Sequence, residues 1–289
     1  MRLAYLAPLN SEQIATAQRL GYDGLAVDVG WFDRPRMDEL EEAAPALADE
    51  LAKAGLAVTA VSVYGNAVGA PAAEAIRYYE RAIQLALRFG SHVVSGVTGR
   101  DNALSLDENL LLFAERFGPI AELAAANGVA IALEPWPGRV NGYGQYRWTN
   151  LAVSPVMYDR LFALVPQPAL GIEYDPSHLA WQGMDYIAIA REYAGRIWHV
   201  HAKDVLLDEA LLKRGGVHAA GWWRNCLPGL GQIDWPALLA ALAAEGYAGD
   251  IAVELEDANY RGERREEGLM LALKTMRPLV EAYHIGQKG

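Results

Sequence analysis

Short apolar runs rich in Val, Ile, Leu and Ala alternate along the chain with longer segments whose apolar positions recur every three to four residues. The runs predict strands over 3–7, 24–30, 56–64, 92–97, 129–134, 169–174, 196–202 and 250–255. The amphipathic segments predict a first helix opening at Asn10 or Ser11, then helices over 36–54, 72–89, 106–126, 154–165, 177–193, 235–245 and 263–283. Strict strand–helix alternation requires right-handed crossovers between parallel strands. Eight such units predict an α/β fold, a closed (β/α)8 TIM barrel forming one domain over 1–289. An open doubly wound sheet would carry a glycine-rich turn after its first strand. Ala7-Pro8-Leu9-Asn10 has none. Two connections, 135–153 and 203–234, are long and follow strands at the face where barrels keep their chemistry.

On this map Glu134 ends the fifth strand and Asp175 the sixth, while His201 and Glu254 lie near the ends of the seventh and eighth. Four successive strands thus each bring one metal-ligand type to the same rim. Carboxylates in apolar strands such as Ile131-Ala132-Leu133-Glu134 are costly unless paired or bound to a cation. Any one of them alone reads equally well as a strand-end residue bonded to a loop. Three carboxylates and an imidazole suit one divalent ion, Mn2+ first, with Mg2+, Co2+ or Zn2+ behind it.

Other residues near that rim have both a chemical and a structural reading. His178, three residues after Asp175, could reach a substrate oxygen or simply face solvent at a helix start. His199, His201 and Lys203 share one strand face if the strand extends so far. Lys203 could then stabilise an anionic intermediate, or be a rim lysine with its stem laid on apolar surface. Arg224 could grip substrate hydroxyls, carboxylate or phosphate, or anchor its loop through an ion pair. Trp136, Trp181, Trp222 and Trp223 offer aromatic faces to a sugar, or packing. Pro228-Gly229-Leu230-Gly231 reads as a tight turn or a phosphate cradle. Tyr143, Tyr146, Arg147 and Trp148 could cap a substrate larger than a monosaccharide.

Composition narrows the function classes. Lys and Arg number 25 against 36 Asp and Glu, a net charge of −11, which argues against nucleic acid as a partner. A single cysteine, Cys226, excludes a disulfide framework and a cysteine-based metal site, and no base at fixed spacing marks it as a nucleophile. No apolar run approaches the roughly 18 residues of a bilayer span, and the apolar N-terminal stretch is short for a secretory leader. The expected location is cytoplasmic, with no membrane partner.

Ala132-Leu133-Glu134-Pro135, Tyr174-Asp175-Pro176-Ser177-His178-Leu179, His199-Val200-His201-Ala202-Lys203-Asp204, Pro228-Gly229-Leu230-Gly231 and Val253-Glu254 resemble the xylose isomerase-like barrel superfamily over nearly the whole chain. Within it they are similar to the bacterial sugar phosphate isomerase/epimerase group, relatives of D-tagatose 3-epimerase, inosose dehydratase and the apurinic endonucleases. The resemblance implies that Glu134, Asp175, His201 and Glu254 hold one divalent cation, commonly manganese. It also implies that Glu134 and Glu254 double as the acid/base pair and that His178 and Arg224 contact substrate. Two departures stand out. The tagatose-type epimerases carry a second glutamate soon after the fifth strand, where Pro135 to Val140 offers no acid, and they place the arginine much closer to the metal histidine. Both weigh against free ketohexoses. Six histidines are too few for the three zinc ions of the endonucleases.

The activity expected from this resemblance is a sugar or keto-sugar isomerase or epimerase that abstracts a proton next to a carbonyl and passes through an enediolate. A lyase acting on an inosose or 3-oxo-glycoside by β-elimination shares the same first step. A non-catalytic sugar-binding barrel subunit is the reading from another class. A small carbohydrate is the expected partner, and relatives that are often dimers or tetramers leave a homo-oligomer open.

Overall fold

The computed structural model describes residues 1–289 except 33, 139, 142–144, 147 and 287–289. Eight parallel strands close into a barrel: β1 Leu3–Ala7, β2 Gly24–Trp31, β3 Ala57–Tyr64, β4 Val93–Gly96, β5 Ala130–Leu133, β6 Leu170–Tyr174, β7 Ile197–Ala202 and β8 Asp250–Val253. Each strand pairs with its neighbours in sequence, and β8 pairs with β1 through Leu3 and Ile251. The predicted strands are all present, with ends that differ by one or two residues.

Strand alternation sends Leu3, Tyr5, Val27, Val61, Ile131 and Val253 outward into the apolar layer beneath the helices. The inward set is different. Ala4, Ala26, Ala60 and Ala252 form a separate cluster of small residues on β1, β2, β3 and β8. Ser62 and Ser95 share a 2.9 Å hydrogen bond beside it. Small side chains on this half of the wall leave volume for the large polar groups that β6 and β7 point inward. A β-bulge adds Thr59 to β3 between the pairs Leu25↔Val58 and Ala26↔Ala60. A second irregularity, between Ile172↔Ile197 and Glu173↔His199, resets β6 against β7.

The helices α1 Ser11–Leu20, α2 Arg34–Ala54, α3 Ala72–Arg88, α4 Leu106–Ala126 and α5 Pro155–Leu164 follow the expected order, and the next brings one correction. The single helix predicted over 177–193 is two, α6 Pro176–Trp181 and α7 Tyr186–Glu192. Gly183 adopts a left-handed φ of 78°, and Asp185 caps the second helix by accepting from the amides of Ile187 and Ala188. The continuous apolar periodicity hid that break. The long connection after β7 is not open loop either. Asp204–Leu207 pairs antiparallel with Trp223–Cys226, and a short helix, Glu209–Gly215, lies between them. Among the described residues no helix is long and apolar enough to cross a membrane.

Candidate metal centre

Each acidic residue is delivered by the last turn of a strand. Glu134 directly follows β5 and its amide donates to Gly96 O at 2.8 Å. Glu254 directly follows β8 and its amide donates to Ala202 O at 3.2 Å. Asp175 follows β6 and caps α6, with Oδ1 accepting from the amide of Ser177 at 2.8 Å and its hydroxyl at 2.6 Å. This cap leaves Asp175 Oδ2 buried without a hydrogen bond. His201 projects inward from β7, and its Nδ1 lies 3.3 Å from Glu134 Oε1 and 3.2 Å from Glu254 Oε2. Glu134, Asp175, His201 and Glu254 present ligand atoms within 4.8 Å of one another, and all four are buried inside the barrel mouth.

Lys203 enters the same cluster. Its Nζ lies 2.6 Å from Glu254 Oε2, 3.0 Å from Asp175 Oδ2 and 3.1 Å from Glu256 Oε2, with 1% of the side chain exposed. His178, on α6, places Nε2 3.0 Å from the Lys203 ammonium, while Trp181 Nε1 donates to its Nδ1 at 3.4 Å. An ammonium can only donate, so His178 Nε2 accepts from Lys203.

The electrostatics are those of crowded charge. Burial pushes the Glu134 carboxyl up, but hydrogen bonds from His178 and His201 outweigh it and hold the group well below its ordinary range. Burial also opposes ionisation of Asp175, and Lys203 and His178 pull it down. Glu254 goes the other way: burial, with Glu256 and Glu134 nearby, outweighs Lys203 and raises it. Burial disfavours charge on His201, yet Glu173 and Glu254 raise it well above its ordinary value. Glu134, Glu173, Asp175, Glu254 and Glu256 thus face Lys203 and His201 with an excess of negative charge. An added divalent cation fits that imbalance and Asp175 Oδ2, which Lys203 approaches at 3.0 Å without a hydrogen bond.

A cavity of about 830 Å³ opens above the cluster, lined by Glu134, His178, Lys203, Glu254, Trp136 and Trp223 among others. Arg224 does not line the cavity. It sits half-exposed on the hairpin strand, 4.0 Å from Asp257, while its neighbour Asn225 takes the inward place and donates to Glu256 Oε2 at 2.7 Å. Trp222 is packed beneath the hairpin, and Trp181 stacks on Trp223 at 4.7 Å. Pro228 to Gly231 is no phosphate cradle. The Asp204 carboxylate already accepts from the amides of Gly229 and Ile233 and from Trp235 Nε1. Burial, reinforced by Asp204 and Asp257, pushes the Cys226 thiol up to about 12, which makes it inert. Tyr143 and Arg147 lie outside the described residues, as does the side chain of Tyr146, and Trp148 packs under Arg100.

Three participants were missed from sequence. Arg265, at the start of the last helix, lines the cavity and donates to Leu6 O at 3.3 Å. Glu256 approaches Lys203. Glu173 lies fully buried under His201, at 3.0 Å from its Nε2. A glutamate inside Leu170-Gly171-Ile172-Glu173-Tyr174 carried the same warning as Glu134, a carboxylate in an apolar strand.

The sequence model of the xylose isomerase-like TIM barrel family matches residues 14–279. The chain belongs to that family. Among curated members, the inosose dehydratase of Clostridium tetani is 32% identical over 102 residues, 34% of this chain and 34% of its own length. The matched segments span only about a third of the first curated relatives. Among solved structures, the IOLI protein with a bound zinc atom superposes with a TM-score of 0.76 at 19% identity, covering 98% of this chain and 99% of its own. L-ribulose 3-epimerase superposes with a TM-score of 0.67 at 20% identity, covering 98% and 94%. At these identities the structural likenesses show the shared barrel.

Proposed function

We propose that the protein is a divalent-metal-dependent dehydratase of a cyclic or open-chain polyhydroxy ketone, an inosose-like substrate. The observation that carries this reading is the convergence of Glu134, Asp175, His201 and Glu254 at the floor of one cavity beside the buried Lys203. Glu134, Asp175, His201 and Glu254 would hold the cation, which supplies Lewis-acid polarisation of a substrate carbonyl.

The residues divide the remaining work. Glu134, held ionised, is the base that takes the proton from the carbon next to the carbonyl. Glu254, raised by its surroundings, is the partner that returns a proton. The Lys203 ammonium, held by His178 Nε2 at 3.0 Å, faces the same space and stabilises the oxyanion that develops as that carbon is deprotonated. In elimination the proton held by Glu254 goes to the departing β-hydroxyl, which leaves as water while the Lys203 ammonium hydrogen-bonds its oxygen; epimerisation needs no leaving group. Trp136 and Trp223 flank the cavity as aromatic walls against which a sugar ring can lie.

A second reading, epimerisation, is favoured by the two glutamates: both Glu134 and Glu254 line the cavity. Reprotonation of the enediolate by Glu254 would then invert the carbon without loss of water. The first deprotonation is common to both, so the product decides. Metal-loaded protein incubated in D2O with inososes, 3-oxo-glycosides and ketoses should exchange the proton next to the carbonyl and yield a product lighter by one water, read by NMR and mass spectrometry. An isomeric product of unchanged mass would favour the epimerase. Absence of exchange across the panel, with metal bound, would leave a binding role.

A further inference from the structure

Beneath the four rim residues lies a second set of polar groups that the proposed chemistry does not use. Glu173, His199 and His201 are each fully buried in the barrel interior. His199 Nδ1 lies 2.9 Å from Glu173 Oε1, and His201 Nε2 lies 3.0 Å from that same oxygen. His199 Nε2 faces Thr59 Oγ1 at 3.2 Å, the hydroxyl that the β3 bulge carries into the barrel. Glu173 and His199 are paired in register across β6 and β7.

Such a chain is expensive in a barrel interior that could have been apolar. Its position explains it. The two ring nitrogens of His201 face opposite sets of carboxylates: Nδ1 faces Glu134 and Glu254, and Nε2 faces Glu173. A ring that offers Nδ1 to a cation must carry its proton on Nε2, and a carboxylate behind Nε2 fixes that tautomer and the ring's rotation. His201 Nε2 lies 3.0 Å from Glu173 Oε1 without a hydrogen bond, and Glu173 Oε2 has no partner either, so a turn of the carboxylate is what would complete the bond. His199 holds Glu173 from the other side.

From this geometry we infer that Glu173, backed by His199, is a positioning residue that accepts the Nε2–H of His201 and so aims Nδ1 at the metal site. The inference rests on the metal reading above. The alternative, a second cation among Glu173, His199 and His201, would take the ring nitrogen that this arrangement supplies with an acceptor.

The test combines metal affinity with the protonation pattern of the ring. Chelator competition with Mn2+ on wild-type protein, Glu173→Leu and Glu173→Gln should show a dissociation constant raised about 10–100-fold in the leucine variant. The glutamine variant, whose amide oxygen can still accept, should recover most of that loss. Long-range 1H–15N spectra of the metal-free wild type should show His201 with a proton on Nε2, protected from exchange, and Glu173→Leu should lose that protection. Equal Mn2+ affinity in folded Glu173→Leu, a bare Nε2 in the wild type, or two metal ions per chain would each overturn the inference. If the wild type binds no metal, the reading of the centre fails instead, and the His201 spectra still decide the role of Glu173. Should the leucine variant not fold, the glutamine variant and the wild-type spectra carry the test.

Discussion

Lys203 Nζ lies 2.6 Å from Glu254 Oε2 at the mouth of the barrel, with 1% of the lysine side chain and 12% of the glutamate side chain exposed. An ammonium so deeply placed among Asp175, Glu254 and Glu256 offsets part of their repulsion and sits close to where a divalent cation would be held. Removing it leaves buried carboxylates uncompensated. Lys203→Met should therefore lower the unfolding free energy of metal-free protein by about 3–5 kcal/mol. Urea titrations with and without Mn2+ check this, and the metal should restore part of the loss. A variant as stable as wild type in chelator would show that the cluster does not depend on the lysine.

Asp175 does two jobs with two oxygens: Oδ1 caps α6 and Oδ2 faces the cluster. Asp175→Asn keeps an oxygen for the cap, so the fold should survive with a loss of no more than about 1 kcal/mol, while metal retention collapses. Metal analysis after gel filtration, alongside circular dichroism, separates the two. Full occupancy in folded Asp175→Asn would remove Asp175 from the ligand set.

The metal-free protein should be most stable on the acidic side of neutrality. Glu134, Glu173 and Asp175 are lowered from ordinary values of 4.5, 4.5 and 3.8, so their contribution is present above those values and lost as pH falls through the lowered ones. His201 is raised from 6.5, so its contribution is full below 6.5 and lost as pH rises through its elevated value. Glu254, raised from 4.5, also loses its contribution as pH rises. Urea midpoints in chelator should peak between about pH 4.5 and 6.5 and decline on both sides. A maximum above about pH 8 would contradict these directions.

Arg265 and Arg224 make a direct contrast. Arg265 lines the cavity, and no ion pair ties it to a carboxylate among the described residues, whereas Arg224 is turned toward Asp257 outside it. Arg265→Ala should raise KM by about tenfold, and Arg224→Ala should leave kcat/KM within about twofold. Steady-state kinetics on the substrate found by the exchange screen measure both. The reverse ranking would mean that the hairpin closes over substrate and brings Arg224 in.

Gly231 lies against the Asp204 carboxylate that organises the loop after the hairpin. A Cβ there would sit 2.1 Å from Asp204 Oδ1 and 2.5 Å from Val205 O. Gly231→Ala should cost about 1–3 kcal/mol and loosen the adjoining turn. Thermal unfolding checks it, and an unchanged midpoint would show that the loop yields.

The barrel was legible because its signals are local. Period-two and 3.6-residue hydrophobic patterns and caps such as Asn10 act within one element, and eight repeats of one unit leave few closed arrangements. The rim residues Glu134, Asp175, His201 and Glu254 were legible for a related reason. In a parallel barrel every strand ends at the same face, so position along a strand converts directly into position in space.

Tertiary structure alone decided what lies across the barrel or turns on one side chain's direction. Arg224 and Asn225 are neighbours in sequence, but strand alternation on the hairpin points one away from the cavity and the other into it. Thr59 meets His199 across 140 residues because a single bulge turns it inward. Glu173 finds His201 because β6 and β7 slip by one residue against each other. Period and propensity carry no information about such registers. They are set by how small residues on one wall make room for large polar ones on the other, and only packing of the whole barrel determines that.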